Sequence, residues 1–195
     1  MSEQEIACSD IYLKDSVVFE SPNVYVIKAC SGRGKSSLLN FIYGLNYKYD
    51  GKIYFDNKIG TKQVFNHYFS YLFQDLKLFN DLSVWENICL KNDLTNFKVK
   101  GEIERMLQKL DLFEKRDLLV GNLSFGQQQR VAIIRTLCQP FQFLFLDEPF
   151  SHIDHETSLK CVELISSEVT KQNAGLIITT LDSCSLWNSN HTLDL

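Results

Sequence analysis

A chain of 195 residues with 45% hydrophobic and 23% charged side chains is long enough to bury roughly 70% of its unfolded surface in one domain, and too apolar to be disordered. Its formal net charge of −4 supplies no clustered Lys and Arg footprint, which sets a nucleic-acid partner aside. No apolar run approaches ~18 residues and no secretory leader pattern opens the chain, so the expectation is a protein that neither spans a membrane nor is exported, and that meets a membrane only through a partner. Six cysteines, at positions 8, 30, 89, 138, 161 and 184, form no C-x-x-C pair and no Cys/His cluster of zinc spacing. They read as free thiols of a reducing cytoplasm.

Residues 1 to 10 are polar and unpatterned. Val17 to Phe19 and Val24 to Lys28 read as strands around a Ser21-Pro22-Asn23 turn. The second strand runs into Ala29-Cys30-Ser31-Gly32-Arg33-Gly34-Lys35-Ser36-Ser37 and then the helix-like Leu38 to Ile42, which ends near Gly44. A strand, a tight glycine turn and a helix start aim several N–H groups and the positive helix end at one point, which suits a phosphate. Lys35 would bridge the outer phosphates and the Ser36 hydroxyl would ligate magnesium. The usual pattern G-x-x-x-x-G-K-[ST] has Gly where this chain has Ala29, so this stretch alone leaves open an ordinary strand–turn–helix.

Gly51 to Asp56 alternates polar and apolar, and Phe69 to Phe73 is a second short β-like run. Ser83-Val84-Trp85-Glu86 is a capping box opening a helix through about Lys91. A second helix from about Gly101 places Ile103, Met106, Leu107 and Leu110 at i, i+3, i+4 and i+7. Residues 75–122 therefore read as a helical subdomain inserted into a core formed by 1–74 and 123–195, the whole chain being one domain. Gln127 to about Cys138 reads as a helix, Phe143 to Leu146 as a buried strand, and Glu156 to about Lys171 as a helix with Leu159, Val162, Ile165 and Val169 inward. Gly175 to Thr180 is another buried strand. Alternating helices and buried strands predict an α/β fold: a mainly parallel sheet covered on both faces, with a small antiparallel β annex and the ligand at the carboxyl ends of the strands.

Two further stretches carry chemistry. Phe143-Leu144-Phe145-Leu146-Asp147-Glu148-Pro149 delivers two carboxylates at the end of a buried strand, beside the phosphate loop, where Asp147 would join the magnesium shell and Glu148 would orient or deprotonate water. Leu123-Ser124-Phe125-Gly126-Gln127-Gln128-Gln129-Arg130 caps a helix with Ser124 and makes a second anion-binding end.

In order and spacing these stretches resemble the nucleotide-binding domain of ATP-binding cassette (ABC) proteins, a P-loop NTPase fold. ACSGRGKSS is similar to Walker A, YLFQ at 71–74 to the Q-loop, LSFGQQQR to the signature, FLFLDEP to Walker B and SHID at 151–154 to the D-loop. Gln74-Asp75 through Leu82 to Ile88 is most similar to the lipoprotein-release and macrolide-export type. The resemblance implies that Ser31, Gly32, Arg33, Gly34, Lys35, Ser36 and Ser37 wrap the phosphates of ATP. It further implies that Ser36, Gln74 and Asp147 surround Mg2+, and that Glu148 is the catalytic base, acting with Gln74 and Lys35. Ser124, Gly126 and Gln127 would contact ATP held by a second ATP-binding subunit, identical or not, in a head-to-tail dimer, and Asp154 would couple the two sites. A transmembrane permease would be the other partner, holding the protein peripherally on the cytoplasmic face of the membrane. Leu76, Leu78, Phe79 and Leu82 would either meet that permease or pack under the helical subdomain.

Three positions depart from the family pattern: Ala29, Phe125 in place of the first signature Gly, and Leu181 where a switch histidine belongs. Leu cannot donate a hydrogen bond to a γ-phosphate. Tyr12 is the candidate for stacking on adenine, with a strand-core role as its alternative. The expected activity is ATP hydrolysis powering transport; the alternative is a nucleotide-dependent dimerising switch that hydrolyses weakly or not at all. A GTPase would want Asn-Lys-x-Asp, and Asn57-Lys58-Ile59-Gly60 lacks the Asp.

Overall fold

The computed structural model describes residues 16–28, 32, 34–56, 58–59 (as backbone), 68–180, 186–187 and 189–195. Its centre is a five-stranded sheet of β1 (Val24–Lys28), β4 (Phe69–Leu72), β5 (Phe143–Asp147), β6 (Gly175–Thr180) and β7 (His191–Asp194), in the order β4-β5-β6-β1-β7 and parallel throughout. A separate antiparallel pair, β2 (Tyr54–Phe55) with β3 (Lys58–Ile59), is the annex.

Every residue of β5 is buried, as a strand covered on both faces requires. Because successive side chains point to opposite faces, β1, β4, β5 and β6 each feed two cores. Leu144, Leu146, Leu176, Ile178 and Val26 enter one, shared with α2 (Val84–Thr95), α3 (Lys100–Lys109), α4 (Phe125–Leu137) and α5 (His155–Lys171). Phe143, Phe145, Ile177, Tyr25 and Ile27 enter the other, under α1 (Lys35–Ile42), where Tyr43, Phe69, Tyr71 and Phe73 make an aromatic cluster. The aromatic supply of the sequence is concentrated there. One apolar core runs without a break from the sheet face into the α2–α3 helices.

The α2 capping box is present: Glu86 N–H donates to Ser83 Oγ at 3.2 Å and Ser83 N–H to Glu86 Oε2 at 2.8 Å. The helix outlasts its predicted end near Lys91, stopping only where Asn96 enters the left-handed region at φ 49°. Fully buried Asn87 accepts from Phe79 N–H and donates to the carbonyls of Phe79, Leu82 and Ser83, which pins the preceding loop. A buried ion pair joins this helical segment to the sheet layer: Lys98 Nζ lies 2.5 Å from Glu168 on α5.

Four expectations change. Val17 to Phe19 is irregular, because β1 already has β6 and β7 as neighbours; Phe19 instead packs edge-on to Tyr25. Edge strand β7 is unanticipated, its short His-Thr-Leu-Asp run having only Leu193 turned to a core. The Gly51 to Asp56 strand shrinks to Tyr54–Phe55. On α5 the buried stripe runs through Ser158, Cys161, Leu164, Ile165, Glu168 and Val169, leaving Leu159 48% exposed and Val162 at its margin. Cys89, Cys138 and Cys161 are free thiols, and burial pushes those of Cys138 and Cys161 up to about 12, so both are poor nucleophiles. The expectations for residues 1–10, and for Cys8, Cys30 and Cys184, lie outside the described residues.

Candidate functional site

All five parallel strands end on the same side, and registers Lys28↔Thr180, Asp147↔Thr179 and Leu72↔Leu146 bring the ends of β1, β6, β5 and β4 together. Gly34, at φ 88°, turns the chain from β1 into α1, a conformation open to glycine without strain. It has no side chain to cap the helix, so the first-turn N–H groups form an anion-binding end. Lys35 is 5% exposed, and its Nζ lies 3.1 Å from Glu148 Oε1. Ser36 Oγ donates to Gln74 Oε1 at 3.5 Å.

Asp147 is buried at the end of β5. Thr179 on β6 donates its hydroxyl to Asp147 Oδ1 at 2.6 Å, and the Tyr71 phenol on β4 is near enough to the same carboxylate to feel its charge. Burial raises the Tyr71 phenol above its ordinary range, and Asp147 raises it further, so Tyr71 stays a donor. Glu148 sits at φ 49°; its N–H donates to the Thr179 carbonyl at 3.2 Å, and its carbonyl accepts from Gln129 Nε2 at 3.1 Å. Ser36, Gln74 and Asp147 offer a hydroxyl, an amide and a carboxylate oxygen. That all-oxygen set fits a hard cation such as magnesium, which takes one or two carboxylates and fills its shell with phosphates and water. No cluster of three His, Cys, Asp or Glu side chains occurs among the described residues, and such a site needs none.

A second polar end is built on α4. Ser124 Oγ accepts from Gln127 N–H at 3.4 Å while Gln127 Oε1 accepts from Ser124 N–H at 3.1 Å. Accepting leaves the Ser124 hydroxyl proton available to a ligand. A Cβ on Gly126 would meet the carbonyl oxygen of His152 at 2.5 Å, so only glycine fits that close approach. Phe125 packs edge-on to the His152 ring at 4.3 Å and remains 44% exposed. Gln129 joins the two ends, reaching Glu148 with Nε2 and accepting from His152 N–H at 3.3 Å with Oε1. Asp154 caps α5, accepting from Thr157 N–H at 2.9 Å, and that bond holds its carboxyl below the usual range.

The residues expected to act together therefore fall into two groups: Gly34, Lys35, Ser36, Gln74, Asp147 and Glu148 at the strand ends, and Ser124, Gly126 and Gln127 at the start of α4. Gly32 and Ser37 accompany the first; Asp154 opens the helix after the second. Ser31 and Arg33 lie outside the described residues, as do Ala29, Leu181 and Tyr12. Of the four apolar residues after Gln74, Leu76 is only 4% exposed and belongs to the core, Leu78 and Leu82 are half-buried, and Phe79 is exposed. Leu82, Trp85, Cys89, Leu90 and Ile103 line an open groove of about 590 Å³ beside them. Sequence reasoning missed Thr179, Tyr71 and Gln129. The signal for Thr179 was a hydroxyl in an otherwise apolar strand.

A family model described as ABC transporter matches residues 15–151. The uncharacterized ABC transporter ATP-binding protein YclH of Bacillus subtilis (strain 168) is 32% identical over 175 residues, covering 86% of this chain and 77% of that protein. The lipoprotein-releasing system ATP-binding protein LolD of Acinetobacter baylyi is 32% identical over 167 residues, 80% of this chain and 73% of its own. Among solved structures, a dimeric post-hydrolysis state of the ATP-binding cassette MJ0796 bound to ADP and Pi superposes with a TM-score of 0.73 at 25% identity, covering 85% of this chain and 78% of that one.

Proposed function

The chain belongs to the ABC transporter family, among its ATP-binding proteins, which are ATPases coupled to transport; from that premise we propose that Lys35, Ser36, Gln74, Asp147 and Glu148 bind and hydrolyse magnesium–ATP, and that the α4 end completes the site of a second subunit. The Lys35–Glu148 contact at 3.1 Å, beside the Ser36–Gln74 bond, is the observation that supports it.

Lys35 and the first-turn N–H groups of α1 hold the outer phosphates, with Gly32, Gly34 and Ser37 shaping the loop. Ser36, Gln74 and Asp147 hold magnesium, which when bound neutralises phosphate charge. Before nucleotide enters, Lys35 is engaged by Glu148. Phosphate oxygens compete for the same ammonium, and as Lys35 turns to them the Glu148 carboxylate is released to accept a proton from the attacking water. Ser124 and the α4 N–H groups, including Gln127, bind the γ-phosphate on the partner's loop, Gly126 keeps the approach clear, and Asp154 links the two sites across the dimer. Phe79 and the groove beside Trp85 form the docking face for a transmembrane permease on the cytoplasmic side.

Glu148→Gln tests the catalytic assignment: ATP turnover is expected to fall about 100-fold or more with ATP binding retained, and equal rates would sink it. Leu181→His separates the readings of turnover. A large gain would identify the native chain as a slow, dimerising switch, whereas an unchanged rate would show that hydrolysis proceeds with Leu181.

A further inference from the structure

Thr179 is fully buried near the end of β6, the central strand of the sheet, after the apolar run Leu176 to Ile178. A hydroxyl buried there destabilises unless both its proton and a lone pair are used. Both are. The proton goes to Asp147 Oδ1 at 2.6 Å, and the oxygen accepts the Glu148 N–H at 3.3 Å. The Thr179 carbonyl accepts that same N–H at 3.2 Å. One residue thus grips the side chain of the first carboxylate and the backbone of the second. Glu148 needs that grip, since φ 49° is a conformation L-residues adopt rarely. From the other side of β5, the Tyr71 phenol feels the same carboxylate. A carboxylate has about four acceptor directions, so one short hydroxyl bond orients it and still leaves lone pairs for a cation.

We propose that Thr179 is a positioning residue of the magnesium–ATP site, its hydroxyl orienting the Asp147 carboxylate toward the metal and its two oxygens locking the Glu148 backbone so that the base faces the attacking water. This rests on Asp147 as metal ligand and Glu148 as base. Valine has the shape of threonine without the hydroxyl; serine keeps the hydroxyl without the methyl.

Manganese titrated onto the full chain in the presence of a non-hydrolysable ATP analogue, with free Mn2+ read by electron paramagnetic resonance, measures the effect apart from turnover. Thr179→Val should weaken manganese binding about 10-fold and lower kcat about 10- to 100-fold, with the KM for ATP at saturating metal moving less than about 3-fold. Thr179→Ser should restore both to within about 3-fold of the native values. Asp147→Asn is the control: if it leaves manganese binding unchanged, the metal-ligand reading fails and the proposal with it. If Asp147→Asn weakens binding while a folded Thr179→Val behaves as native, or Thr179→Ser behaves as Thr179→Val, the positioning role alone is overturned. Should Thr179→Val not fold, Thr179→Ala is judged by the same criteria.

Discussion

The strand-end group and the start of α4, the two ends proposed to meet phosphate, are built in opposite ways. At the strand ends, Lys35, Asp147 and Thr179 are buried and already paired, Lys35 with Glu148 and Asp147 with Thr179. At α4 the serine caps its own helix, its neighbour Phe125 is exposed, and the bonds are those of an ordinary capping box. The first end is organised before any ligand arrives, since its charges are held at fixed separations inside one chain. The second offers donors to whatever docks on it, which is how half of a shared site should look in a single subunit.

Lys35→Met should break this contrast most severely. It removes a charge-assisted phosphate contact and leaves Glu148 without its 3.1 Å partner, so ATP affinity of the isolated chain should fall by roughly 4 kcal/mol, about 10³-fold, in a fluorescent-nucleotide titration. An affinity within a factor of ten of native would mean that the strand ends are not the phosphate site.

The sheet was legible because a strand buried on both faces is a continuous apolar run, and Phe143 to Leu146 and Leu176 to Ile178 are such runs. The capping boxes at Ser83 and Ser124 were legible because they are local, four residues long. What escaped depends on partners far along the chain. Leu76, left open between meeting a permease and packing under the helical subdomain, turns into the core, its backbone at φ 58° and its carbonyl accepting from Arg135. Leu159 fitted a helical stripe that Cys161 and Glu168 occupy instead; a buried glutamate cannot be foreseen without the Lys98 that pairs with it, 70 residues away. Thr179 was hidden for the same reason, since its meaning comes from Asp147 across the sheet.

Lys98→Met tests how the helical segment is tied to the sheet layer. Stripping the cation from buried Glu168 should cost about 3 kcal/mol in urea unfolding, while ATP affinity of the strand ends stays native. Burial pushes the Glu168 carboxyl up, but hydrogen bonds from Lys171 and Lys98 outweigh it and hold the group below the ordinary glutamate range. The depressed folded value makes this contribution complete above pH about 4.5 and lost as the pH falls through that lower value. The stability gap between native protein and Glu168→Gln should therefore narrow under acid. A gap that is flat from pH 7 to pH 3 would show that the pair does not titrate with folding.

Ser124→Ala should act on the second end alone. Losing the cap destabilises α4 by about 1 kcal/mol, and the ATP affinity of the isolated chain should be unchanged because no strand-end residue is touched. ATP-dependent dimerisation, read by size-exclusion chromatography of the Glu148→Gln background, should be lost. A stable dimer in that variant would separate Ser124 from the partner's phosphate.

Phe125→Ala is the mildest and the most discriminating change. The ring contributes one edge-on contact with His152 and is half open to solvent, so its removal should lower stability by about 1 kcal/mol or less. The Ser124 hydroxyl and the α4 N–H groups remain, and the narrow approach at Gly126 is set by the His152 backbone rather than by the ring. Turnover should accordingly shift by no more than about 3-fold, since no phosphate donor is removed. A fall above tenfold with unchanged melting would place the ring itself against the partner's nucleotide. The α4 end would then be a shaped wall as well as a set of donors, closer in kind to the preformed strand ends.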